Sequence, residues 1–157
     1  MERNMVSLFL LKGKQVLLLY REGGRVAHHL YVAACGGHME PHELNNARAA
    51  ILREMQEELG LSPTDVGEIR LRYITLRNAG QEIRQNFYFF AELKTEKPFT
   101  SNEGNLRWCT ETEALSLPMP VSARAVLCHY FREGKQTDVL YGCISDGQQA
   151  HIIPMNA

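Results

Sequence analysis

Between Gly36 and Leu61 the chain reads GGHMEPHELNNARAAILREMQEELGL. From Asn46 to Leu59, apolar residues recur at four-residue spacing (Ala47, Ile51, Met55, Leu59), with Leu44, Arg48 and Leu52 flanking the stripe. That period is helical, and Gly60 stands where a helix commonly stops. The same helix carries Arg53, Glu54, Glu57 and Glu58. At ~100° per residue the three glutamates fall within about 100° of arc, on one edge of the apolar stripe. Crowded carboxylates repel one another and weaken a helix. Two readings follow from the spacing: a solvated polar face, or oxygen donors for a hard divalent cation such as Mg²⁺ or Mn²⁺. The pair Gly36-Gly37 lets a ligand approach the backbone closely.

Strand-like runs surround this helix. Met5–Leu11 and Gln15–Tyr20 flank Lys12-Gly13-Lys14 and read as a hairpin, and Leu30–Cys35 is a short strand closed by the two glycines. Ile69–Leu76 and Ile83–Leu93 are rich in β-branched and aromatic residues and join through Asn78-Ala79-Gly80. Leu106–Cys109, Val139–Ile144 and His151–Pro154 are further strand candidates, and Ser122–Arg132 is a second helix ended by Gly134. Strands on both sides of each helix predict a layered, mixed α/β domain.

The chain has 157 residues, of which 45% are apolar and 22% charged. That suits a single globular domain, expected here over residues 1–157. Lysine plus arginine total 17 against 18 acidic residues, a net charge of −1. Such a balance gives no broad field for a nucleic-acid polymer or an anionic membrane. The apolar run after Arg3 ends at Lys12 with no small-residue cleavage site, and no stretch approaches the ~20 apolar residues of a bilayer span. Cys35, Cys109, Cys128 and Cys143 form no CxxC pair and read as free thiols. A soluble protein of the cytoplasm is expected.

The quoted segment resembles the Nudix box, G-x5-E-x7-R-E-U-x-E-E-x-G-U, where U is apolar. Gly37, His38 to His42, and Glu43 match its first part, and Arg53 to Leu61 match every specified position of the second. Nine residues, Leu44–Leu52, separate Glu43 from Arg53 where the pattern has seven. The two extra residues are assigned to the loop near Pro41–Asn46, because proline and an asparagine pair suit a turn and an N-cap. Val16–Arg21 is similar to the family's strand before the box, and Asn102–Trp108 to a later loop that often adds an acidic ligand, here Glu103.

The resemblance implies a Nudix-type α/β/α sandwich with a mixed central sheet. It also implies Mg²⁺- or Mn²⁺-dependent hydrolysis of a nucleoside diphosphate linked to another group, with nucleoside triphosphates, oxidised ones included, as the first choice. Glu54, Glu57, Glu58 and Glu103 are the implied metal ligands, with the Gly36 carbonyl. Arg53 would orient a glutamate, one glutamate or Glu103 would serve as general base, and Gly37 and Glu43 would shape the loop. The alternative is a module of the same fold that binds a nucleotide without turnover, against which the intact acid set argues.

Other residues are less informative. His28 and His29 are adjacent, so a regular strand would send them to opposite faces. Cys128-His129 falls within the apolar second helix and reads as core or boundary. Arg70, Arg72, Arg77 and Arg84 lie along two strands. They form either a solvated sheet face or a phosphate clamp. Arg21, Arg72 and Arg84 are the residues expected to meet substrate phosphate.

Overall fold

The computed structural model describes residues 2–23 and 29–155. Its strands are β1 (Glu2–Lys12), β2 (Gln15–Arg21), β3 (Leu30–Ala33), β4 (Cys35–His38), β5 (Arg70–Asn78), β6 (Ile83–Glu92), β7 (Asn105–Thr110), β8 (Tyr141–Ser145) and β9 (Ala150–Pro154). Its helices are α1 (Ala47–Leu59), α2 (Glu111–Ser116) and α3 (Val121–Arg132). The strands run β3-β2-β1-β6-β5-β8-β9, with β4 also on β1 and β7 also on β2. The β1–β6 and β5–β8 pairs are parallel and the rest antiparallel, so the sheet is mixed.

Alternation along the strands builds two cores. Phe9, Val16, Leu18, Tyr88 and Phe90 face α2 and α3, where they meet Ala123, Val126, Leu127 and Phe131. Their neighbours Leu8, Leu10, Leu17, Phe89 and Ala91 face α1 and bury Ala50, Ile51, Met55 and Leu59. Helices thus cover both faces of the sheet, the α/β/α sandwich expected from the sequence.

The differences lie in detail. Gly36-Gly37 does not end a strand but forms the middle of β4, where Gly36 pairs with Ser7 and Gly37 with Val6. A Cβ on Gly36 would come within 2.3 Å of the Val6 carbonyl oxygen, so this pairing requires glycine. The helix α2 has no counterpart in the sequence reading. Its six residues are too few to display a period, although Thr110 and Glu113 close a capping box at its start.

Candidate active site

Three elements bring the acidic residues to one place. Asn46 caps α1, its side-chain oxygen accepting from the Ala49 amide at 3.0 Å, and Gly60 ends the helix in a left-handed conformation. The apolar stripe seats α1 against the sheet, which turns its glutamate edge toward β4. A Cβ on Gly37 would lie 2.6 Å from Glu54 Oε1, so the Glu54 carboxylate rests against bare backbone. One turn on, Glu58 accepts a hydrogen bond from the Gly36 amide at 2.9 Å.

Arg53 ties the loop to the helix. Its Nε and Nη2 donate to the two oxygens of Glu43 at 2.9 and 2.8 Å, a bidentate pair. Its Nη1 donates to Glu54 at 3.0 Å and Glu57 at 3.1 Å, and Nη2 also reaches the His38 carbonyl at 3.2 Å. Glu43 is buried and accepts from the Glu40 amide as well. The Arg53 bonds hold its carboxyl down at about 2. The two extra residues of the box fall after Glu43, at Leu44-Asn45 between the 3₁₀ turn Pro41–Glu43 and the Asn46 cap, so α1 starts where the capped pattern predicts.

The acids border a cavity of about 470 Å³ between the sheet and the α1 and α3 sides. Glu54, Glu58, Glu103, Gly36 and Gly37 line it; Glu57 is exposed and does not. Glu103 stands in the loop before β7, 3.6 Å from Arg21 across the rim. Asn102 fixes that loop to the end of α1: its amide donates to the Glu58 carbonyl at 3.3 Å and its side chain to the Glu57 carbonyl at 3.2 Å. The sequence reading quoted Asn102 without giving it this role. Burial pushes Glu58 up to about 7, assisted by the neighbouring charges of Glu54 and Glu103 and opposed by the Gly36 bond. Burial also raises Glu54, against the pull of Arg53.

This donor set suits a hard divalent cation by its chemistry. It consists of carboxylate oxygens beside open backbone, partly withdrawn from water and mutually repelling. Among the described residues no three acidic, histidine or cysteine side chains form a preformed cage. Arg53 holds Glu54 and Glu57 to itself instead.

Of the arginines expected at phosphate, Arg21 and Arg84 line the cavity and Arg72 does not. The β5–β6 register shifts between Leu71 and Tyr73, and this bulge directs Arg72 to the end of α3. There it is buried, donating to the Gly134 and Thr137 carbonyls at 2.5 and 2.7 Å, with its guanidinium 5.8 Å from the Tyr130 ring centre. Arg72 is a structural brace, neither solvated nor near the site. Arg70 pairs with Asp138 on the same side. Arg77 lines the cavity, as does Arg3, which the sequence reading did not single out. His129 is buried and bonded to the Tyr73 hydroxyl at 2.7 Å, as a core histidine; His28 lies outside the described residues.

A glutamate edge packed on a glycine strand borders a cavity whose other walls carry arginines, an arrangement suited to a divalent cation and a phosphate-bearing ligand. The chain belongs to the Nudix family of pyrophosphohydrolases: the NUDIX domain model matches residues 1–130. Among solved structures, the chain is similar to a MutT protein from Bacillus halodurans (23% identity, 96% of this chain and 97% of that one, TM-score 0.68). It is also similar to a NUDIX hydrolase from Nitrosomonas europaea (19%, 92% and 78%, TM-score 0.72). A third is an Ap4A hydrolase from C. elegans (18%, 83% and 96%, TM-score 0.68). At these identities the likeness is one of fold. No curated protein matches the sequence. Nudix hydrolases generally use divalent metals, and no described helix is long and apolar enough to cross a membrane.

Proposed function

We propose that this chain hydrolyses a phosphoanhydride bond of a nucleoside diphosphate linked to another group, with Mg²⁺ or Mn²⁺ as the required ion. The observation that carries the reading is the pairing of Glu54 and Glu58 with the bare backbone of Gly37 and Gly36 at the cavity wall. Glu54, Glu57 and Glu58 would hold the ion, with Glu103 and the Gly36 carbonyl. When bound, a divalent cation supplies charge neutralisation at the phosphates and Lewis acidity.

The chain's own residues do the rest. Arg53 fixes the orientation of Glu54 and Glu57 through its Nη1. One glutamate of the set, or Glu103, accepts a proton from the attacking water. The new oxygen–phosphorus bond forms in line as the bridging bond breaks, and the departing phosphate carries away the electron pair. Arg21, at the rim beside Glu103, is the cation closest to this end of the cavity among the arginines expected at phosphate.

The test is a panel of nucleoside triphosphates, dinucleoside polyphosphates and nucleotide sugars, assayed with Mg²⁺, with Mn²⁺ and with EDTA, products identified by mass. Metal-restored hydrolysis that EDTA abolishes is expected. Turnover unchanged in chelator, or none on any member with metal, overturns the proposal.

A further inference from the structure

The cavity continues beyond the acidic helix edge, and its other end is lined by arginines that the reaction leaves without a role. Strand register sets their positions. Arg3 of β1 lies opposite Arg84 of β6, and Arg84 lies opposite Arg77 of β5. All three line the one cavity. They stand abreast on neighbouring strands, so at ~4.8 Å per strand the row is about 10 Å wide. Like charges opposed across a ladder destabilise a sheet.

The protein offsets that repulsion only in part. Glu82 pairs with Arg3 at 2.9 Å and with Arg84 at 2.8 Å, one carboxylate for two guanidinium groups. Among the described residues no carboxylate pairs with Arg77, and its Nε is buried with no hydrogen-bond partner. The β8–β9 turn closes over it: a Cβ on Gly147 would lie 2.9 Å from its guanidinium. Arg72, whose Nε is likewise without a partner, has its Nη2 satisfied by two backbone carbonyls, whereas among the described residues no carbonyl or carboxylate accepts from the Nη groups of Arg77. The buried Nε–H of Arg77 is left without an acceptor, which is a costly state for a buried N–H.

The row also lies at a useful distance. Along β1, Arg3 is four residues from Ser7, and Ser7 pairs with Gly36 at the acidic end. At ~3.3 Å per residue that separates the two ends by about 13 Å of backbone. Between them Asn86 lines the cavity, accepting from the Ser7 hydroxyl at 3.1 Å.

We infer that Arg3, Arg77 and Arg84 form a subsite for a second anionic group, a phosphate ester or a carboxylate, on the part of the substrate remote from the bond that is cut. This inference rests on the reaction proposed above and narrows its substrates to diphosphates whose far end also carries negative charge. Guanidinium groups recognise both anions by bidentate hydrogen bonds. A free diphosphate is too short to bridge the two ends, whereas a nucleotide-sized molecule is long enough. A nucleoside triphosphate presents only a neutral base to the row, so it is the weaker kind of substrate.

Matched substrates test this. Coenzyme A and its 3′-dephospho form differ by one phosphate ester, and UDP-glucuronate and UDP-glucose by one carboxylate. For at least one pair the anionic member should have a KM tenfold or more below that of its partner, and the pair identifies which anion is read. Arg77→Gln and Arg84→Gln, on different strands, should each shrink that KM ratio toward one with a smaller change in kcat. Arg77→Lys should keep part of it. Because each Gln change relieves like-charge repulsion, thermal unfolding should show both variants folded; were one unfolded, the other decides.

Binding of inorganic phosphate in EDTA, followed by calorimetry, reports on the row without turnover. It should persist in Glu58→Gln and disappear in the Arg77→Gln/Arg84→Gln double variant. Equal use of both members of each pair, or a preference that survives both arginine changes, overturns the subsite. Absence of hydrolysis on these four compounds and on the wider panel above rejects the proposed reaction instead, and the phosphate titration then decides the subsite alone; turnover of nucleoside triphosphates with none of these four overturns the narrowing of substrates.

Discussion

Glu58 concentrates the conflict on which the site is built. Its carboxylate is held by the Gly36 amide but is largely withdrawn from water beside Glu54 and Glu103, so burial pushes it up to about 7. An unfolded glutamate titrates near ~4.3. The folded protein therefore keeps a proton that the unfolded chain has lost, and metal-free stability falls as pH rises from about 4.5 to 7. Glu58→Gln removes this dependence. In chelator, the variant should gain on the wild type between pH 5 and 7.5, by about 1–2 kcal/mol, the scale of 1.36 kcal/mol per unit being reduced by the solvent that still reaches the carboxylate. The buried His129, whose depressed titration gives the opposite slope, is common to both proteins and cancels. Urea melts at the two pH values measure the gap; a gap that does not widen with pH would show Glu58 to be well solvated. A second residue-scale outcome concerns Gly37→Ala. Its methyl would meet Glu54 Oε1 at 2.6 Å, so the carboxylate must move. With metal present, kcat should drop at least tenfold, while the α1-side core is left intact.

At the scale of elements, α1 and the loop before it act as one unit through Arg53. Glu43→Gln keeps the shape but gives up the charge of a bidentate pair, which should destabilise the protein by about 1–3 kcal/mol. Turnover should fall, though less than in Glu58→Gln, since Arg53 keeps Glu54 and Glu57 as partners. Glu43→Gln with wild-type melting and wild-type kinetics would make the brace irrelevant. This unit was legible in the sequence because local physics writes it. The stripe, the Asn46 cap and Gly60 specify the helix, and Pro41 with Asn45-Asn46 assigns the two extra residues to a turn. Elements defined by their partners were not legible. The Cys-Gly-Gly-His strand β4 has no β-forming residue at its centre and exists because β1 presents a matching edge. The bulge after Leu71 sends Arg72 to the end of α3, and no period in β5 announces it. The alignment of Arg3, Arg84 and Arg77 is likewise a fact of register, invisible until the β1–β6 and β5–β6 pairings are known.

Across the whole molecule, the two cores set the cavity between opposite demands. The sheet supplies arginines at one end, and α1 and the loop held by Asn102 supply carboxylates at the other, beside the glycines of β4. Each end is a concentration of one sign that folding alone does not favour, so each should gain from a bound ion of the other sign. For the acidic end this predicts linkage between divalent cations and global stability. A ligand that binds only the folded state at 100 times its Kd stabilises by about 2.7 kcal/mol. In a chain of this size each kcal/mol moves Tm by roughly 2–4 °C. Saturating Mn²⁺ should therefore raise Tm by about 5–10 °C over the EDTA-treated protein. Glu54→Gln/Glu58→Gln should lose most of that increment while melting higher than wild type in EDTA, because its repulsion is gone. The arginine variants should keep the increment in full, since they lie at the other end of the cavity. A wild-type Tm that is the same in millimolar Mn²⁺ and in EDTA would show that the glutamate edge holds no cation in the substrate-free protein.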